Sequence, residues 1–319
     1  IVVTVVYPGA SARTLEDNVL TVIEQEMNGS PGLIYMESVA QANGSGTLTL
    51  TFSPNTNPDL AQVDVQNRLS RATPRLPSAV TQQGVRVDKA RSNFLLFTIL
   101  SSSNPDIDPI ALGDFAARNV LPELQRVPGV GQAQLFGTER AMRVWIDPAR
   151  LLGYQLSTSD VVAAIRAQNA QVSAGAIGDL PNVAGQGIFA TVVVRGQLST
   201  VEQFGRIALR ANPDGSTVRL ADVARIELGA QAYATSARLN GKPSTGIGVQ
   251  LSPTGNALAT AGAVRAKMDE LQRFFPPGVS YAIPYDSSRF VKISITQVAV
   301  TLVEAVVLVF LVMYLFLQN

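Results

Sequence analysis

The chain has no histidine and no cysteine. Losing histidine removes the commonest general base and metal ligand, and Ser-His-Asp hydrolysis and most zinc sites go with it. Losing cysteine removes disulfides and thiolate chemistry, but it does not fix a compartment, since cytosolic and periplasmic proteins both do without it. Charge is sparse: 15% of residues are charged and the net charge is +1, so no basic face argues for nucleic acid. The phosphate-cradling G-x-x-x-x-G-K-[ST] pattern is missing, and ATP-driven work has no support. No nucleophile–base pair stands out. The expectation is that the chain is not an enzyme.

What is present is most distinctive at the end. Val298–Leu317 reads VAVTLVEAVVLVFLVMYLFL, close to the 20 or so apolar residues that a helix needs to cross a bilayer. No proline or glycine interrupts 288–319, so one long helix is predicted from near Ser288 through Leu317. Lys292 and Gln297 would lie at one membrane edge and Gln318-Asn319 at the other. Glu304 falls inside the apolar run, where a carboxylate is costly and faces protein or water; a proton-linked role and a plain interhelical hydrogen bond are both open, the second being favoured. The other end opens inside a strand, Ile1–Val6, with no initiator methionine. A piece of a larger membrane protein is expected.

Between these ends the chain reads as repeated αβ units. Ile1–Val6 is a β-branched run, and Ser11 then opens a helix with Leu15, Val19, Leu20, Val22, Ile23 and Met27 at helical spacing. Leu33–Val39 and Thr47–Phe52 are predicted strands around Asn43-Gly44. Pro58-Asp59 starts a helix whose apolar side is read as Leu60, Val63, Val65 and Leu69, and Gly84–Val87 is a closing strand. The order βαββαβ is a split βαβ, or ferredoxin-like, unit. A second set follows: strand Phe94–Leu100, helix Ile110–Arg126, and strands Val130–Phe136 and Met142–Ile146 around a turn at Gly137–Glu139. Strand Ser244–Leu251, helix Ala257–Phe275 and strand Val279–Pro284 complete it. Both of its helices stop alike, at Pro128-Gly129-Val130 and Pro277-Gly278-Val279.

The interruption, about Asp147 to Arg238, is rich in Gly, Ala and Gln. Ser157 and Asp160 cap a helix over Val161–Asn169. A long stretch poor in anchoring residues follows, from Ala174 to Gly187, flanked by strand signals at Gln171–Ser173 and Phe189–Val194. A protruding hairpin arm and a mobile loop both fit that composition, the arm better.

Several motifs resemble a known family. Tyr7-Pro8-Gly9-Ala10, Ile23-Glu24-Gln25 with Met27-Asn28-Gly29, and Val63-Asp64-Val65-Gln66-Asn67 are similar to the resistance-nodulation-division transporters. So are Val130–Gly137 (VGQAQLFG), Ala167-Gln168-Asn169-Ala170-Gln171 and Pro284-Tyr285-Asp286. The resemblance is closest at Val291-Lys292-Ile293-Ser294-Ile295, followed by Leu302-Val303-Glu304-Ala305 and Val309–Asn319. Within that superfamily the chain resembles the hydrophobe/amphiphile multidrug efflux pumps of the AcrB and MexB type, over essentially its whole length.

The resemblance implies a trimeric, proton-driven pump of the bacterial inner membrane, with most of this chain in the periplasm and no cofactor. It implies an α+β fold with these parts: residues 1–92 as a first porter subdomain, 93–139 with 231–288 as a second, and 140–230 as an inserted docking, or funnel, subdomain. Residues 289–319 would be the second transmembrane helix, and the proton-carrying residues would lie outside this chain. Implied partners are two further copies, a periplasmic adaptor (membrane fusion) protein, an outer-membrane channel, membrane lipid, and amphiphilic drugs, dyes and detergents. The arm, with Gln171, Gly175, Gly178, Pro181, Gly185 and Phe189, would reach a neighbouring subunit. An apolar drug pocket would use Phe94, Phe97, Phe136, Gln134, Thr235 and Tyr285, with Thr4, Thr47, Thr49, Arg86 and Asp88 supplying polarity. Arg86 departs from the small polar residue typical there, and Phe97 and Thr235 from aliphatic ones. Soft-metal export within the family is an alternative, but Met27, Met36, Met142, Met268 and Met313 form no cluster. A membrane-anchored periplasmic binding or assembly module is another.

Overall fold

The computed structural model describes residues 1–170, 176–177, 190–191, 197–213, 215–233 and 236–317. They are mixed α and β and divide into two compact units: residues 1–139 with 232–319, and residues 140–231.

The first unit starts with strand β1 (Val2–Val6), followed by a helical rod made of Ala12–Leu15, a π turn at Glu16–Leu20, and Thr21–Met27. Ser11 caps its start by accepting from the Thr14 backbone N–H. Strands β2 (Leu33–Ala40) and β3 (Ser45–Phe52) form a hairpin, helix Pro58–Ala72 crosses back, and β4 (Arg86–Asp88) closes the set. The sheet order is β2-β3-β1-β4, all antiparallel. Its core holds Val3, Val5, Leu48 and Leu50 of the sheet against Leu15, Val19, Ile23 and Met27 of the first rod and Val65 and Leu69 of the second helix.

The apolar side expected of helix Pro58–Ala72 is not the side that packs. Leu60 and Val63 do not face this core; they are 68% and 57% exposed, and the buried stripe of that helix is Ala61, Val65, Leu69 and Ala72. Spacing of four and three from Val65 and Leu69 selects the small Ala61 and Ala72 and leaves the larger Leu60 and Val63 on the far side. A short helix, Ser78–Gln83, precedes β4 and had no periodic signal of its own.

The chain continues into β5 (Phe94–Ser102), a rod from Pro109–Phe115 through a π turn at Ala116–Val120 to Leu121–Gln125, and β6 (Val130–Phe136). It then enters the second unit with β7 (Arg140–Ile146), which belongs to a different sheet from β6. Helix Thr158–Gln168 carries a complete capping box between Ser157 and Asp160. The short strands β8 (Ala176–Ile177) and β9 (Ala190–Thr191) pair antiparallel. Gln171, Gly175, Gly178, Pro181, Gly185 and Phe189 lie outside the described residues. Strands β10 (Ala208–Ala211) and β11 (Thr217–Arg219) form a hairpin, and β12 (Ala224–Ala230) pairs with β7. This unit has its own core around Leu151, Val161, Phe204, Leu220 and Val223.

Back in the first unit, β13 (Ala237–Leu239) turns at Asn240-Gly241 into β14 (Lys242–Leu251), with both turn residues at positive φ as a tight hairpin requires. Helix Ala257–Gln272 and β15 (Val279–Asp286) complete a second sheet. There β14 pairs with β5, β5 with β15, and β6 lies on the outer edge of β14 beyond β13. The order β6-β14-β5-β15 repeats β2-β3-β1-β4 strand for strand. The shared helix stops have a shared cause: Gly129 and Gly278 both sit at φ +87, after a proline, where a Cβ is disfavoured.

The last helix, Ser288–Phe316, is 29 residues long, about 44 Å at 1.5 Å per residue, and its apolar window is wholly unburied. It is long and apolar enough to cross a membrane. Its first turn is fastened to the second sheet. The buried Asp286 carboxylate pairs with Arg265 and accepts from Ser288 through the backbone N–H (2.9 Å) and the hydroxyl (2.6 Å). Ser287 donates to the Leu95 carbonyl from both its N–H (2.9 Å) and its hydroxyl (2.8 Å). Asp286→Ala should strip the charge partner from Arg265 and orphan Ser288, costing about 2 kcal/mol. Asp286→Asn, which still accepts from Ser288, should cost about half of that. Thermal melting of the full-length protein in detergent measures both.

Candidate functional site

A strand sends successive side chains to opposite faces. In each sheet of the first unit one face carries the aliphatic core under the helices, and the other carries different chemistry. On the first sheet that other face is set by register. Thr4 stands opposite Thr47 on one side and Arg86 on the other; Val2 stands opposite Thr49 and Asp88. Directly opposed residues share a face, so Thr4, Thr47, Thr49, Arg86 and Asp88 all lie on it. Each is half-buried except Arg86, which is exposed.

On the second sheet the corresponding face is aromatic. Phe97 and Gln134 both oppose Gly248, Tyr285 opposes Phe97, Phe136 opposes Gly246, and Phe94 opposes Gln250. The rings converge. Phe94 lies 4.6 Å from Phe97 and 5.7 Å from Phe136, edge-on to the latter; Phe97 is 5.6 Å from Phe136 and 6.0 Å from Tyr285. These spacings are those of favourable aromatic contact. None of the four rings is fully buried, and Tyr285 is 46% exposed. Phe94 and Phe97, three residues apart, share this face because the ladder to β14 shifts register between Leu96 and Phe94, while Leu95, Leu96, Thr98 and Leu100 of β5 are buried.

Residues that sequence reasoning missed complete the face. Gly246 and Gly248 hold the middle of β14, and at Gly248 a side chain would occupy the space of the Phe94 and Phe136 rings. Two glycines at alternate positions of a strand are the readable signal. Gln132 and Gln250 lie in the row of Phe94. Gln250 is buried; its Nε2 donates to the Ser92 carbonyl at 3.0 Å, and its Oε1 has no partner among the described residues. Thr235 lies outside the described residues.

The two faces meet. Gln132 Nε2 donates to Asp88 Oδ2 at 2.9 Å, and the linker between the sheets is tied to the end of β14 by Arg91, through N–H to Leu251 O (2.8 Å) and Nη2 to Pro253 O (2.9 Å). Beside this junction opens a cleft of ≈ 800 Å³ that Thr49, Thr51 and Tyr35 line from the first sheet and Phe94 from the second. Ser287 and Val291, at the root of the long apolar helix, also line it. Phe136 is not among the residues that line it; its ring contacts Phe94 instead. The whole arrangement is a mostly apolar surface with a few polar groups, which suits binding. The described residues contain no group of His, Cys, Asp and Glu able to hold a metal.

Burial pushes the Asp88 carboxyl above its usual value of 3.8, and Arg86 beside it pulls part of the way back. A raised folded value means that the contribution of Asp88 is complete below the unfolded value of 3.8 and is lost as pH rises through the folded one. Asp88→Asn keeps an acceptor for Gln132 and removes the charge. It should stabilise the protein at pH 7 by less than about 1 kcal/mol, given half-exposure and solvent screening, with the gain vanishing in acid. Denaturation midpoints at neutral and acid pH check this.

The class is that of a mixed α and β chain carrying a partly exposed aromatic sheet face and one helix long and apolar enough to cross a membrane. The chain belongs to the AcrB/AcrD/AcrF family, which matches residues 1–319. It is 50% identical over 319 residues to the multidrug resistance protein MdtF of Escherichia coli strain K12, covering 100% of this chain and 31% of that protein. It is 49% identical over 313 residues to the multidrug export protein AcrF of the same strain, covering 98% of this chain and 30% of that one. To the toluene efflux pump membrane transporter TtgB of Pseudomonas putida it is 50% identical over 319 residues, with 100% and 30% covered. The chain spans under a third of the length of these relatives.

Proposed function

We propose that this chain is the drug-capturing part of a proton-driven multidrug efflux transporter. The observation that carries the reading is the convergence of Phe94, Phe97, Phe136 and Tyr285 on the sheet face opposite the helices. Stacking and edge contacts on aromatic faces accept many ligand shapes, which a polyspecific exporter requires. Gln134, Thr4, Thr47, Thr49, Arg86, Asp88 and, by family position, Thr235 supply the few polar contacts. The chain needs no catalytic group and no cofactor for this; the work is done by a proton gradient acting on residues elsewhere in the full-length protein.

In this reading residues 1–92 and 93–139 with 231–288 are two ferredoxin-like porter subdomains, supported by their shared strand order, and 140–230 is the docking subdomain between them in sequence. Residues 289–319 are the second transmembrane helix, in the bacterial inner membrane, with the rest of the chain in the periplasm. The working assembly is a homotrimer, with Gln171–Phe189 assigned the contact to a neighbouring subunit, and it hands amphiphilic drugs, dyes and detergents to a periplasmic adaptor and an outer-membrane channel. In the full-length pump, Phe136→Ala should lower export of large apolar drugs about fivefold, the worth of one lost ring contact, at unchanged protein level. Minimal inhibitory concentrations alongside quantified membrane protein test it. Parent-level export of every large apolar drug would refute the reading.

A further inference from the structure

We propose that Gly248 determines which molecules the aromatic face can hold, selecting for flat polyaromatic amphiphiles. The proposal rests on the reading of that face as the drug-binding surface. Phe94 stands on β5 and Phe136 on β6, the two strands flanking β14, and their rings lean across β14 until they meet above Gly248. A Cβ at position 248 would lie 2.6 Å from Phe94 Cε1, 2.8 Å from Phe94 Cδ1 and 2.9 Å from Phe136 Cε2. Real Cβ atoms do not stand that close to other carbons. The backbone at Gly248 is ordinary extended strand, so the rings, and not φ, are what exclude a side chain there.

The direction in which the rings would give way is constrained. Phe97 lies 4.6 Å from Phe94 and 5.6 Å from Phe136, so it blocks retreat along the sheet. With retreat toward Phe97 closed, the rings would rise away from the sheet, into the space above the face. Gly246 is different: a Cβ there would meet Phe136 Cβ at 3.8 Å and Ile99 Cγ1 at 3.9 Å, which is ordinary contact. The low posture of the two rings is therefore owed to one position. A rigid flat molecule gains from lying along a low aromatic floor and cannot bend around raised rings, whereas a flexible alkyl chain can.

The test uses the full-length transporter and two cationic probes, ethidium (flat and polyaromatic) and dodecyltrimethylammonium (flexible). Gly248→Ala should lower ethidium efflux about fivefold, the worth of one ring contact, and leave dodecyltrimethylammonium efflux at the parent level. Gly262→Ala, on helix Ala257–Gln272 where a Cβ meets open space, should match the parent on both. In a Phe94→Leu background, which removes the nearer ring, the further effect of Gly248→Ala on ethidium should shrink, as coupled neighbours do. That background also decides the matter should the single variant not accumulate. An unchanged ratio between the two probes, or equal loss of both, would overturn the role of Gly248. The binding-face reading fails separately, if Phe136→Ala leaves both probes at the parent level.

Discussion

A β-sheet has two faces, and a pair of helices can cover only one. That constraint organises both sheets of the first unit. The covered faces are aliphatic and buried: Val3, Val5, Leu48 and Leu50 in one sheet, Leu96, Leu100, Ile247 and Val249 in the other. The bare faces are then free of the demands of a core, and they have diverged. One is threonine-rich with an Arg86–Asp88 pair on its closing strand; the other is aromatic over glycine. Two copies of one strand order thus present two chemistries, and the Gln132–Asp88 hydrogen bond joins them at an edge.

The covered faces were legible in the sequence because their periodicities are strong. Leu15, Val19, Ile23 and Met27 announce a helix, and Leu48 and Leu50 between threonines announce a half-buried strand. The errors have the same origin as the successes. Leu60 and Val63 were placed inward because they are large and apolar, yet geometry follows phase and not size, and the phase is set by Val65 and Leu69. The short turn between Val130–Phe136 and Met142–Ile146 fixes their proximity and not their ladders. Here β14, more than 100 positions later, takes β6, and β12 takes β7.

The binding face was legible only in part. Phe94 and Phe136 could be named from the family resemblance, but their strands are separated by a helix, and nothing local says that their rings touch. Contact depends on the registers of both strands against β14 and on the missing side chain at 248. Glycine in a strand reads at first as weakness. Its function becomes visible only once the neighbours that fill its space are known.

The junction with the long helix follows from a similar economy. Asp286 is buried, and a buried carboxylate is tolerable only when its charge and lone pairs are answered. Arg265 answers the charge, and the N–H and hydroxyl of Ser288 answer the lone pairs; the same contacts satisfy an N–H that the start of a helix would leave open. One residue earlier, Ser287 is held to Leu95, the neighbour of Phe94 in β5. The aromatic face and the apolar helix are therefore attached to the same short stretch of β5. A displacement of the helix root relative to the second sheet has to break these bonds, and a displacement that preserves them carries Phe94 along. The root of the helix and the strand that carries Phe94 and Phe97 are thus joined by direct hydrogen bonds from Ser287, with nothing between them.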